Sequence, residues 1–560
     1  MKRFFCILMV TGFALSCGKS PTGGEDPDTH EIAVTMLPRV VPLLAGASDV
    51  PVARIDISGN TQESDNSVRK LTLGIKAGAS MEDIRTLSLW SCDKEGNIGA
   101  KLMEKSEFAN GLAVFDLSGH NLTGDCSLWV CLSLASNVTL GEHIGLSVKS
   151  IDAASGNISF SYGGECTVRK AIALRQRLQN NVHTSRIPGL VTTPSGTLLA
   201  IFEARHTSNL DPQGDADIAM HRSTDGGHTW EAMRIIMDMG KYGGLPERFN
   251  GVSDACIVCD DQTGEIFVFA TWIYGMINPD TRTWIEGITE QTNLSTIWYP
   301  HWHRYVSLPG WEPKQTHQFM MVSSTDDGQT WSAVKNLTQM VKPEQYYKFS
   351  PCPGRGITMS DGTIVLPIHG RDTYADTFAG IIYSQDHGVT WLFPRMAYST
   401  GGESMVAELS DGSLMLNTHL RSNLALTEEQ GNGRGVVTTK NLGQSWQLHP
   451  TDHTLIEPPC QASLHVHHYT ENGAAKRVLL FFNPRSDNAR VNMTLQASFD
   501  DGATWPENYR MLIDIEHGSG YSCLTSIDQQ TVGLLYESSN AQLSFMQIKL
   551  EDILKKTINP

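Results

Sequence analysis

The chain holds residues suited to gripping an acidic group and doing chemistry beside it. Arg186 stands in Arg186-Ile187-Pro188-Gly189 and Arg205 closes Phe202-Glu203-Ala204-Arg205. Arg421 ends Leu416-Asn417-Thr418-His419-Leu420-Arg421, and Arg490 comes shortly before a Ser498-Phe499-Asp500 turn. A planar guanidinium donates two parallel hydrogen bonds, so arginines converging from separate elements make a specific clamp for a carboxylate. The formal net charge of −17 repels anions overall, so such a clamp would have to act within about a Debye length, ~8 Å. Carboxylates are interleaved with the arginines: Asp211, Asp254, Glu408 and Glu537. Tyr521 follows Gly520, and a phenol with a reference pKa near ~10 attacks carbon only when a base takes its proton.

The elements that must position these groups announce themselves by repetition. Ser/Thr-x-Asp-x-Gly-x-Thr-Trp starts at Ser223, Ser324, Ser384 and Ser498, and a degenerate copy with Asn441 and Ser445 starts at Thr439. The spacing is about 55 to 60 residues, one four-stranded propeller blade, except for a gap of about 100 that has room for a blade without the motif. In each copy Asp accepts backbone N–H groups, Gly takes a positive φ and Trp packs into the blade. With 50 Gly, 24 Pro and 12 Trp, the composition predicts an all-β chain: a six-bladed β-propeller over 170–555, preceded by a β-sandwich-like accessory domain over 30–165. That accessory domain either binds carbohydrate or spaces the propeller from a membrane. An aromatic-rich insertion at 275–318, with Trp284, Trp298, Trp302 and Trp311, is expected to border the pocket.

The turns resemble the Asp box of sialidases, and the Arg-Ile-Pro motif with a second Arg some twenty residues later resembles the opening of their catalytic domain. The resemblance implies an exo-α-sialidase that cleaves terminal sialic acid with retention, using a tyrosine nucleophile. It implies the triad Arg186, Arg421 and Arg490 for the substrate carboxylate, with Arg434 in reserve because His419 occupies the place where relatives often carry the middle Arg. It implies Asp211 as acid/base, in preference to its neighbours Asp215 and Asp217, Tyr521 as nucleophile and Glu408 as its base. Glu537 is then the carboxylate that orients Arg186, and Arg205 and Asp254 contact the sugar. Such a reaction needs no metal and no cofactor. A trans-sialidase and a non-catalytic sialic-acid-binding lectin are the alternatives; a lectin has no use for Asp211, Glu408 and Tyr521 together.

The ends and the odd residues have plainer readings. Lys2, Arg3 and an apolar run closing at Ser16-Cys17 form a lipoprotein-type signal over 1–16, with 17–29 as a tether. The chain is therefore expected to be exported and lipid-anchored to a bacterial membrane, in the outer membrane or periplasm or at the cell surface. Sialylated glycans, glycoproteins or glycolipids are the expected partners, with the membrane touched only through the anchor and monomer as the default state. The acidic balance argues against nucleic acid. Cys256 and Cys259 read as buried thiols, and His465, His467 and His468 as structural or surface histidines rather than metal ligands.

Overall fold

A computed structural model describes residues 30–59, 67–153, 158–210, 214–276, 278, 284–293, 307–420 and 433–555. The signal and tether, Asp211, Arg421, Trp298 and Trp302 lie outside the described residues. Among the described residues the regular structure is almost entirely strand, with a few short helices.

Six sheets follow one another from residue 184 onward, antiparallel except where Val252–Cys259 pairs in parallel with the short Gly354–Arg355. Sheet I holds Thr184–Thr192, Leu198–Arg205, Ala216–Ser223 and Arg234–Met237. Sheet II starts with Val252–Cys259, Ile266–Trp272 and Gln318–Ser324; sheet III includes Ile364–Arg371 and Thr377–Ser384. Sheet IV starts with Gly401–Glu408, Leu414–Leu420 and Gly435–Thr439, and sheet V with Ser463–Glu471, Ala474–Pro484 and Met493–Ser498. Sheet VI holds Ser522–Asp528, Thr531–Tyr536 and Leu543–Lys549, and its outer edge is Cys166–Arg175, a strand that precedes sheet I in the chain. Contacts run from each sheet to the next, and Ser522–Asp528 of sheet VI touches Thr184–Thr192 of sheet I.

Every Asp box begins at the last residue of the third strand in sheets I to V. In the first, Thr229 donates its N–H at 2.9 Å and its hydroxyl at 2.6 Å to Asp225, and Gly227 donates to Ser223 Oγ at 2.9 Å. Gly227 sits at φ 93°, and a Cβ there would fall 2.2 Å from the Phe545 ring of sheet VI. The boxes thus tuck against the preceding sheet: Gly328 meets Leu199 of sheet I, and Gly388 meets Phe267 of sheet II. The wide spacing between the first two boxes has a different origin from the one expected. It is filled by the insertion between the second and third strands of sheet II, and the sheet without a box is the last one.

Hydrogen bonds to Thr229 and Ser223 outweigh partial burial and hold the Asp225 carboxyl down at about 2. Since the folded value is depressed, this stabilisation is complete above the unfolded value of ~3.9 and disappears as pH falls through about 2. Asp225→Ala is expected to cost roughly 0.5–1 kcal/mol, the low end because the carboxylate is exposed. In thermal melts the gap from the parent should narrow as pH drops from about 4 towards 2, with turnover unchanged at neutral pH.

The described residues between 30 and 175 form two sheets enclosing a core of Ile32, Val34, Ile55, Leu71, Leu73 and Leu128. That core continues into Leu198, Phe202 and Phe545 of sheets I and VI. Cys166–Arg175 pairs through its first half with His143–Ala153 and through its second half with Leu543–Lys549, so a boundary near residue 165 falls at the strand that joins the two parts.

Candidate active site

Functional side chains collect where the first strands of the sheets begin. Three of these strands open with a register irregularity: Arg186 to Gly189, Ser253 to Cys256 and Gly401 to Ser404. Ile187 and Asp254 take φ 60° and 55°, unfavourable for side chains with a Cβ. Bulges of this kind re-aim the residues beside them. Here they present Arg186, Asp254 and Glu403 at one end of the sheets, and Gly520 at φ 85° places Tyr521 just ahead of the first strand of sheet VI.

Tyr521 is buried, and its hydroxyl donates to Glu403, 2.7 Å from each carboxylate oxygen. The guanidiniums of Arg186 and Arg490 lie 5.2 and 5.4 Å from the centre of its ring. Burial first, and the Glu403 carboxylate second, push the phenol well above its ordinary value, with Arg490 and Arg186 opposing. The resting group is therefore a neutral phenol hydrogen-bonded to a base. Glu537 braces the arrangement: it takes Arg186 Nε at 2.7 Å and Nη2 at 3.1 Å, the Ile187 N–H at 2.9 Å and the Tyr521 N–H at 3.1 Å. Arg490 is steered by the Ser519 carbonyl at 2.8 Å.

Glu408 is not beside Tyr521, which corrects the sequence expectation. It ends the strand near whose start Glu403 sits, accepts the Ser360 N–H and hydroxyl at 2.8 and 2.6 Å, and lines a cavity of about 630 Å³ with Arg355, His465 and Thr525. That cavity is lined by the far ends of the first strands, including Thr192 and Cys259, and neither Tyr521 nor Glu403 reaches it. The signal for Glu403 was present as Gly401-Gly402-Glu403, a glycine pair where a strand begins. Arg434, the reserve for the triad, is buried against Glu457, Asn417 and the Cys460 carbonyl. Those bonds make it a framework ion pair. Arg421 lies outside the described residues.

Residues 187–501 match the model of the BNR repeat-like domain. A sialidase of Bacteroides fragilis is 37% identical over 430 residues, which cover 76% of this chain and 74% of that protein. The chain belongs to the sialidase family. A sialidase of Micromonospora viridifaciens is 30% identical over 363 residues, 63% of this chain and 49% of that protein. The solved structure of Hadza microbial sialidase Hz136 superposes with a TM-score of 0.76 at 32% identity, covering 93% of this chain and all of that one.

The other residues expected at a sialidase site fall into a second network. Arg205 donates to Glu203 at 2.8 and 2.6 Å, and the other oxygen of Glu203 takes the Ser253 hydroxyl and the Asp254 N–H at 2.7 and 2.8 Å. Glu203 thus fixes the Asp254 bulge from sheet I, a role that the sequence did not suggest. Next to it, His206, Asp215 and Asp217 bring ligand atoms within 4.8 Å of one another and could hold a metal ion. Burial and the neighbouring Asp217 push the Asp215 carboxyl up to about 6. His465 and His467 instead share the Ser526 hydroxyl at 2.8 Å each, and burial holds His465 well below its ordinary value. Cys256 and Cys259 are buried free thiols; burial pushes Cys259 up to about 12. Of the insertion, Trp284 packs edge-on against Tyr274, with ring centres 5.7 Å apart, and Trp311 donates to the Lys342 carbonyl at 3.0 Å.

Proposed function

We propose that this chain is a retaining exo-α-sialidase whose nucleophile is Tyr521 and whose base is Glu403. The observation that carries this reading is the phenol held 2.7 Å from both Glu403 oxygens beneath two guanidiniums. A carboxylate nucleophile would be repelled by the acid group of the sugar, whereas a neutral phenol approaches without that cost. Arg186 and Arg490 grip the substrate carboxylate, and Glu537 keeps Arg186 in place. As the phenol proton passes to Glu403, the oxygen attacks the anomeric carbon and Asp211 protonates the leaving oxygen. Asp211 then deprotonates water, which displaces the tyrosine; two displacements give net retention.

The six sheets read as the blades of a six-bladed propeller, supported by boxes that tuck each sheet onto the one before it, and the two sheets of 30–165 as a sandwich-like accessory unit. Tyr521→Phe tests the chemistry on a fluorogenic sialoside, with and without lactose as acceptor. Turnover should fall by at least about 10³-fold while the thermal midpoint stays within a few degrees. Parent-like rates in the purified variant would remove Tyr521 from the mechanism, and sialyl-lactose as the main product would make the chain a transferase.

A further inference from the structure

We propose that His369 and His419 are substrate-affinity residues, whose protonated rings cancel the carboxylates of Asp254 and Glu403 and let the pocket draw in an acidic sugar. The idea rests on the sialidase reading above and adds to it a source of charge that titrates. Both pairs share one geometry: His369 Nε2 lies 3.7 Å from Asp254 Oδ2, and His419 Nε2 lies 3.7 Å from Glu403 Oε2. All four side chains are buried. The strand of His369, Ile364–Arg371, packs against Gly401–Glu408, which carries Glu403. Cys352 lies within electrostatic reach of both carboxylates.

Local sequence makes room for the second pair. A Cβ on Gly402 would fall 2.5 Å from His419 Nε2, so the missing side chain is what lets the imidazole settle beside the residue next in line, Glu403. Among the arginines of the site, Arg186 is held by Glu537 and Arg205 by Glu203, while Arg490 donates to the Ser519 and Pro459 carbonyls. Protonating both histidines adds two positive charges beside Asp254 and Glu403 in a chain of formal charge −17. Burial weakens screening there, so the change is felt by an anionic ligand.

Other charged groups shape the titration. His369 pairs across its sheet with Ser350, Lys348 and Arg371 pair with each other two residues along the same two strands, and Asp254 faces the ring at 3.7 Å. His419 has Glu403 on one side, and the Glu457 that pairs with Arg434 accepts the N–H of the adjoining Leu420 at 3.0 Å. An unperturbed imidazole changes charge near pH ~6.5, inside the range where a sugar carboxylate stays ionised.

The test compares binding of sialic acid and of its uncharged methyl ester to the full chain by calorimetry between pH 5 and pH 8. In the parent, the acid should bind about tenfold more weakly at pH 8 than at pH 5, the ester should show no such trend, and KM for a sialoside should follow the acid. The double variant His369→Gln with His419→Gln should lose this slope, whereas residues that only support the fold would lower the melting temperature and leave it intact. A flat profile for the acid in the parent, or an unchanged slope in a folded double variant, overturns the proposal. Because the comparison of acid and ester needs no variant, poor folding of the mutant does not rescue it. Binding with the expected slope but without turnover would overturn the sialidase reading alone; no binding at any pH would overturn both.

Discussion

Glu403→Gln is expected to lower kcat on a fluorogenic sialoside by about 10³-fold, while Glu408→Gln stays within about twofold of the parent. The two acids sit on the same strand, Gly401–Glu408, at opposite ends. Glutamine keeps the size of Glu403 and can still accept a hydrogen bond from Tyr521, yet it cannot take the proton. That loss is severe because burial has already pushed the phenol well above its ordinary value, so proton removal must accompany attack. Glu408→Gln disturbs only the bonds to Ser360, worth about 1 kcal/mol of stability and remote from the reacting atoms. Steady-state rates on the two purified variants decide the matter, and equal losses would mean that the carboxylate beside Tyr521 is not its base.

The second large effect is expected at Glu537. Its carboxylate is almost fully enclosed and collects four donors, from Arg186, Ile187 and Tyr521. Glu537→Ala leaves a partly buried guanidinium unpaired and two buried N–H groups unsatisfied, a loss of about 3–5 kcal/mol. It also frees Arg186 and the segment carrying Tyr521, so kcat/KM should fall by at least about 10²-fold. Glu537→Gln should be intermediate, since one of its two oxygens becomes a donor facing donors. Denaturant midpoints and kcat/KM measured on both variants check the ordering; an alanine variant as stable as the parent would show that the brace is dispensable.

Much of this was legible in the chain, for reasons that can be named. The Asp boxes are local turns whose hydrogen bonds span only a few residues, so their motif is readable without the fold. Arg186, Tyr521 and Glu537 were legible as members of an ordered series, and the structure brings these three together. Glu403 was missed because sequence order does not tell which end of a strand lies beside Tyr521; that depends on the direction shared by all the first strands and on the bulge at Gly401. Arg434 looked like an available guanidinium because its partner Glu457 comes from a different loop, beyond the reach of local pattern. The box-free sheet was misplaced for a related reason. A long insertion and a missing motif leave the same gap in a repeat, and only strand pairing separates them.

The strand Cys166–Arg175, shared between the N-terminal sheets and sheet VI, sets an order of events during synthesis. It leaves the ribosome early and can pair with Leu43–Leu44 and His143–Ala153, but its C-terminal half lacks a partner until Leu543–Lys549, near the end of the chain, has been made. Closure is therefore a late, long-range step, slow for the same reason that distant pairings fold slowly. A nascent or C-terminally clipped chain would expose an unpaired edge open to aggregation and proteases.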